Sequence, residues 1–339
     1  MAGVTFGNRL TTVTQDSYLP KLVDHVLNSN KLFTRFVGRA KRWSGENMKF
    51  PIKIAKNTLG GSFSGYDTFS TSAVDTRRVL TYRPSFYEIP VSLPLDEVSV
   101  NATEDRVLDL VRIEMTSTAQ DAADDLGTQF YGTGSGKNFN GLELLVDDGT
   151  NSTTIGGLTR DDFTPVLDST LTASATLTLA AMQTLYSNVR SGGVAPTAIF
   201  TTEAVNDLYI QLLNPQERIM KDVSDMKNGM VGGTGFTALS FMGMPIIPDE
   251  KATSQVLYMV NEDYLDFYAL PMQMTEPARF KNTDIQGNDY SSVMGLGFSW
   301  SGWIKPVNSA SIVGHIYFGG QFVQRNPKRS GKLTTVASV

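Results

Sequence analysis

The chain has no cysteine among its 339 residues and only two histidines, His25 and His315. The first absence excludes disulfide frameworks, zinc ribbons, iron–sulfur clusters and thiol nucleophiles. The second leaves Ser/His or multi-His metal chemistry with isolated rings, about 290 residues apart. No run of 18 apolar residues occurs, and residues 1–10 hold no apolar signal-peptide core, so the expectation is a chain without a membrane span that is assembled in the cytoplasm. A phosphate loop also fails on spacing. In Tyr131-Gly132-Thr133-Gly134-Ser135-Gly136-Lys137, Tyr131 stands where the first glycine belongs and Asn138 where Ser or Thr belongs, and the run follows a helix instead of a strand. It reads as the flexible exit of that helix. Gly297-Phe298-Ser299-Trp300-Ser301 misses a nucleophile elbow at its last position. Carboxylates are the only abundant catalytic candidates left. Asp161-Asp162, Asp249-Glu250 and Glu262-Asp263 are the pairs a glycosidase would draw on. Each lies in a predicted turn or helix start, where acids are favoured anyway.

Charge is where the sequence becomes informative. The net of −5 hides a separation: residues 1–100 carry +5 and residues 101–339 carry −10. Between Lys31 and Arg83, eleven basic residues face only Glu46, Asp67 and Asp75. The length suggests about two domains. Residues 1–45 are polar with one apolar-periodic stretch, Leu22 to Val37, expected to form a helix or two, and read as an arm outside the core. From Asn47, Met48, Phe50, Ile52 and Ile54 alternate with polar residues or proline, the pattern of a half-buried edge strand. A second extended run spans Arg77 to Leu93, and the Gly/Ser/Thr-rich stretch between makes a tip of about 20 residues. Such a hairpin buries too little apolar surface to stand alone and should lie on another subunit.

The strongest periodicity follows. Asn101 is the expected N-cap of a helix over 102–130, with Val107, Val111, Met115, Ala119, Ala122, Leu126 and Phe130 on one face. That helix is acidic, with seven carboxylates against Arg106 and Arg112. A basic hairpin and an acidic helix in one chain predict pairing between copies: Lys49, Lys53, Lys56, Arg77, Arg78 and Arg83 against Glu104, Asp105, Asp109, Glu114 and Asp121 of a neighbour. Further on, helices are expected at Thr178–Val189 and after an N-cap at Thr201 or Thr202, and strands at Thr197–Phe200, Phe241–Asp249, Val256–Val260, Leu265–Leu270, Val293–Ile304 and Ser311–Phe318, with a methionine-rich loop at 214–235.

The order of these parts, with Ala198-Ile199-Phe200-Thr201-Thr202-Glu203-Ala204, Gly243-Met244-Pro245-Ile246-Ile247-Pro248-Asp249 and Leu257-Tyr258-Met259-Val260-Asn261 as recurrent segments, resembles the major capsid proteins of tailed bacteriophages. The resemblance covers nearly the whole chain. It implies an α+β Hong Kong 97-type fold: an N-terminal arm (1–45), an E-loop (46–92), a peripheral domain (93–139 and 272–318) with a spine helix (101–131), an axial domain (140–271) and a C-terminal segment (319–339). It also implies hexamers and pentamers in an icosahedral virion head that encloses double-stranded DNA without reading its sequence. Portal, scaffolding and decoration proteins would be partners, with no cofactor, metal or membrane. Lys281, Asp284 and Asp289 fall in the loop that meets symmetry copies at three-fold axes in that family. An encapsulin, a shell that loads enzymes, shares the fold and is the nearest alternative; its cargo-binding N-terminal helix fits poorly with the Thr/Gly-rich first 18 residues. A carboxylate-dependent glycosidase is the alternative from another class.

Overall fold

The computed structural model describes residues 30–43, 45–100, 104–164, 166–190, 192–213, 239–270 and 297–338. The expected helix before Lys31, the N-cap at Asn101, the methionine-rich loop and the loop carrying Lys281, Asp284 and Asp289 lie outside these residues. Helix α1 (Lys31–Val37) and β1 (Lys41–Arg42) precede a hairpin of β2 (Met48–Lys53) and β3 (Arg77–Tyr82). Strand β4 (Ser85–Pro94), α2 (Leu95–Val100) and the 28-residue α3 (Glu104–Tyr131) follow. Then come α4 (Leu142–Leu145), β5 (Thr154–Ile155), β6 (Leu158–Thr159), β7 (Thr170–Ala173), α5 (Leu179–Val189), β8 (Ala198–Thr201) and α6 (Glu203–Leu213). The last strands are β9 (Ser240–Phe241), β10 (Met244–Pro248), β11 (Leu257–Val260), β12 (Leu265–Ala269), β13 (Phe298–Ile304), β14 (Ser311–Gln324) and β15 (Gly331–Thr334). None of the described helices is long and apolar enough to cross a membrane.

Two sheets organise the molecule. In the first, the 14-residue β14 pairs antiparallel with β4 along residues 311–320, with β13 along 313–318 and with β12 along 320–324. In the second, the order is β7-β15-β11-β8-β10-β9. Its central strands β8 and β11 are buried at every position. Alternation explains why they are apolar at every position but Thr201, whose hydroxyl donates to Val256 O at 2.9 Å. Ile199, Leu257 and Met259 pack with Met182 and Leu185 of α5 and Val205 of α6, while Ala198, Phe200, Tyr258 and Val260 point the other way into the main core. Thr178 starts α5 as the sequence predicts, its hydroxyl accepting from Ala181 N at 3.1 Å.

The main core holds a cluster of phenylalanines from five elements and one loop: Phe33 (α1), Phe130 (α3), Phe139, Phe267 (β12), Phe298 (β13), Phe318 and Phe322 (β14). Ring centroids lie 4.9 Å apart for Phe33–Phe130, 4.8 Å for Phe130–Phe322 and 4.6 Å for Phe298–Phe318. Such pairs contribute about 0.5–1.5 kcal/mol each beyond area burial. Helix α3 reaches this core through Met115, Ala119, Ala122, Leu126 and Phe130, the spacing read from the sequence.

Three expectations need correction. Residues 31–37 are not part of an arm outside the core: Leu32, Phe33, Phe36 and Val37 are all buried. Asn30 approaches α3 so closely that a Cβ on Gly127 would lie 2.3 Å from its Oδ1, and its Nδ2 donates to Ala123 O. Glycine inside a helix costs about 1 kcal/mol, and here it admits α1. The glycine-rich run after α3 is anchored at its far end, where Phe139 is buried and Asn140 N donates to Gln321 Oε1 at 2.7 Å. Finally, β14 continues past Phe318 to Gln324, and β15 fills the slot between β7 and β11. The strand at 265–269 belongs to the β14 sheet.

Buried charges tie these parts together. Arg35 and Arg39 both pair with the buried Glu262, at 2.9 Å for Arg35 Nη2 and 3.2 Å for Arg39 Nη1. Lys41 and Arg325 flank Asp266 at 2.7 and 2.8 Å. Lys332 in β15 pairs with Asp147 at 3.0 Å, both side chains almost fully enclosed. Asp147 also accepts the N–H groups of Gly149, Asn151 and Ser152. Burial pushes its carboxyl upward, but the Ser152 N–H, Lys332 and the Asn151 N–H outweigh that and hold its pKa below the usual carboxylate value.

Candidate assembly surfaces

The β2–β3 register sorts the basic residues by face. Met48 opposes Tyr82, Phe50 opposes Leu80 and Ile52 opposes Arg78; the other face carries Lys49 opposite Thr81, Pro51 opposite Val79 and Lys53 opposite Arg77. The first set lies toward the body. Leu80 and Tyr82 are buried, Tyr82 OH donates to Gln324 O at 2.8 Å, and Thr81 N donates to Gly156 O at 2.8 Å. The second set faces solvent, with Lys49, Lys53 and Arg77 all exposed. Lys53 and Arg77 are like charges directly across the ladder, an arrangement that destabilises a lone hairpin. Neither forms an ion pair with a described residue. Arg78 is different: it pairs with Asp75 and lies over the Phe163 ring at 5.6 Å.

Beyond Lys53 and Arg77 the tip leaves the body. Phe63, Tyr66 and Phe69 are 70%, 103% and 69% exposed, with Phe63 and Phe69 in edge contact at 5.1 Å. Asp67 closes a turn by accepting from Ser64 N at 2.7 Å. Three exposed aromatics within seven residues form an apolar patch of the kind that marks interaction sites. Their signal was in the sequence, inside a stretch whose Gly/Ser/Thr content dominated its reading.

On α3, Glu104, Asp105 and Asp109 belong to the first two turns. Asp121, Asp124 and Asp125 are exposed, Glu114 is half-buried, and Ile113 stands out as a large apolar side chain 63% exposed. Asp124 is engaged by Lys251, and Asp125 accepts from Tyr87 OH at 2.9 Å. Glu114 and Asp121 have no ion pair among the described residues. Arg35, Arg39 and Lys41, part of the basic excess of residues 31–83, are spent inside the chain on Glu262 and Asp266. Among the described residues, Lys49, Lys53, Lys56, Arg77 and Arg83 on the hairpin side and Glu114 and Asp121 on the helix have no ion pair with another described residue.

Two of the three carboxylate pairs have a member with a structural duty, and the third, Asp161–Asp162, is exposed. Asp249 Oδ2 accepts Leu32 N at 3.0 Å in the first turn of α1, and its Oδ1 accepts Lys251 N at 3.1 Å. Glu262 holds two arginines. Among the described residues no group of three or more His, Asp or Glu is placed to hold a metal ion.

No protein-family model and no curated protein matches the sequence. Solved structures do. The chain is similar to the capsid protein in the asymmetric unit of cyanophage A-1(L), at a TM-score of 0.62 and 13% identity over 91% of this chain and 93% of that one. It is similar to the encapsulin of the holo-SrpI complex from Synechococcus elongatus, at 0.54 and 12% over 88% and 86%. The capsid of an empty GTA particle gives 0.50 at 9% identity, over 90% of each chain. Over most of its length this mixed α+β chain thus shares the Hong Kong 97-type fold of tailed-phage capsid and encapsulin shells.

Proposed function

We propose that the chain is the major capsid protein of a tailed bacteriophage, assembling as hexamers and pentamers into an icosahedral head around double-stranded DNA. The observation that carries this reading is the likeness to the cyanophage capsid protein over more than nine-tenths of both chains. The β2–β3 hairpin would be the E-loop, α3 the spine helix, the β14 sheet the peripheral body and the six-stranded sheet the axial body. Residues 1–45 would supply the arm, its end anchored in the core through α1, with Lys281, Asp284 and Asp289 at three-fold contacts. Assembly would take place in the host cytoplasm, with portal, scaffolding and decoration proteins as partners.

The hairpin's geometry gives this reading a mechanism. The exposed Lys53–Arg77 pair is relieved by carboxylates such as Glu114 and Asp121 on α3 of an adjacent copy, and the Phe63/Tyr66/Phe69 tip finds an apolar bed there. Each exposed pair is worth only about 0–1 kcal/mol, so strength comes from repetition through the shell. Arg78, turned toward Asp75 and Phe163, takes no part in that contact. Electron microscopy of the purified chain tests the reading. Closed shells, hexamers or pentamers support it, and nuclease-protected double-stranded DNA in native particles separates it from the encapsulin reading, in which the shells co-purify with an enclosed enzyme. A monomer at all concentrations rules out both.

A further inference from the structure

A cleft of about 500 Å³ opens where the β3–β4 turn, the glycine-rich run after α3 and the β5–β6 turn meet. Its charge is one-sided: Arg83 and Lys137 line it, and no Asp or Glu does. Both cations are exposed, and neither pairs with a carboxylate among the described residues. The glycine-rich wall has a backbone suited to anions. Gly134 and Gly136 have φ of +66° and +68°, alternating with residues of negative φ. Such alternation gathers successive N–H groups into an anion-binding concavity. No N–H of residues 134–137 donates to a described protein group.

The cleft is held open by one buried side chain. Gln321 Oε1 accepts from Asn140 N at 2.7 Å and from Phe322 N at 3.2 Å, while its Nε2 donates to Arg83 O at 3.2 Å and to Ser85 Oγ at 2.9 Å. Ser85 Oγ in turn donates to Asn138 O at 3.2 Å. The two walls carrying Lys137 and Arg83 are thereby fixed relative to each other, which lowers the ordering cost of binding.

We infer that this cleft receives a carboxylate-bearing segment of a second copy of the chain. Charge complementarity selects that occupant. The chain carries a net −10 beyond residue 100, and among its described residues Asp96–Glu97 and Asp161–Asp162 are exposed acidic pairs. The inference rests on the shell reading and adds to it a contact at the root of the hairpin, separate from the Lys53–Arg77 face.

The test compares assembly yield, by electron microscopy and sedimentation, for wild type, Arg83→Glu with Lys137→Glu, and a control of equal charge change on other exposed lysines, Lys305→Glu with Lys328→Glu. Circular dichroism establishes that each is folded; if the reversed variant is not, Arg83→Gln with Lys137→Gln replaces it. The expected result is at least a tenfold loss of assembled particles for the cleft variant and little change for the control. Equal yields for both variants, or equal losses, overturn the inference. Normal assembly with a loss of inorganic phosphate binding, read by phosphorus NMR, would also overturn it and leave a small-anion site. Failure of wild type itself to assemble removes the shell reading, and this inference with it.

Discussion

The β2–β3 hairpin and the six-stranded sheet use similar short strands to opposite ends. In the sheet, β8 and β11 are buried on both faces, and the lysine in β15 is matched by Asp147 with its ring of backbone N–H donors. In the hairpin, every second residue of β2 is exposed, and the lysine and arginine that face each other at its outer end have no carboxylate partner among the described residues. A charge that is paired inside the molecule serves the fold. A charge set against its like at a surface calls for something outside it.

The comparison is broken most severely at Asp147. Asp147→Asn keeps the shape but leaves Lys332 buried without a counter-charge, and should cost about 3–5 kcal/mol of stability in chemical denaturation of the full chain. The same pair gives a pH dependence. The folded pKa of Asp147 lies below its unfolded value, so its stabilisation is complete above about pH 3.9 and fades as the pH falls through the folded value. Asp147→Asn should flatten that part of an acid titration of stability; an unchanged acid limb would contradict the assignment. Leu80→Ala removes the buried foot of the hairpin and should cost about 2–5 kcal/mol, with faster proteolysis of the tip as the accompanying sign. Thr178→Ala takes the cap from α5 and should cost about 1 kcal/mol in the same melts. Smallest for folding is Lys53→Glu with Arg77→Glu, within about 0.5 kcal/mol for the unassembled chain. That variant should nevertheless lose most assembled particles, whereas Arg78→Glu should act through its contacts with Asp75 and Phe163 on the fold.

How much of this was legible depended on whether the cause was local. Helix α3 announces itself because Met115 to Phe130 repeat at helical spacing, and β2 because its alternation survives Pro51. Helix α1 shows its spacing in the sequence but not its burial, since the partners that cover Phe33 are Phe130, Phe298 and Phe318, far along the chain. Strand β15 went unseen for a related reason: a lysine at the centre of four residues argues against burial until Asp147, 185 positions away, is known to meet it. The charged faces were half legible. The sequence supplied the basic excess, but only the register separates Arg77 from Arg78, and only distant pairing engages Arg35, Arg39 and Lys41 within the chain. The cleft at Arg83 and Lys137 could not be read at all, since three segments well apart in sequence build it.

The central claim, that the hairpin is completed by another copy, is tested most directly by cryo-electron microscopy of particles assembled from the full chain. The account predicts closed shells in which Lys53 and Arg77 lie against carboxylates of an adjacent subunit and Phe63, Tyr66 and Phe69 are covered. Shells in which the tip projects freely into solvent, or a chain that remains monomeric under every condition, would contradict it.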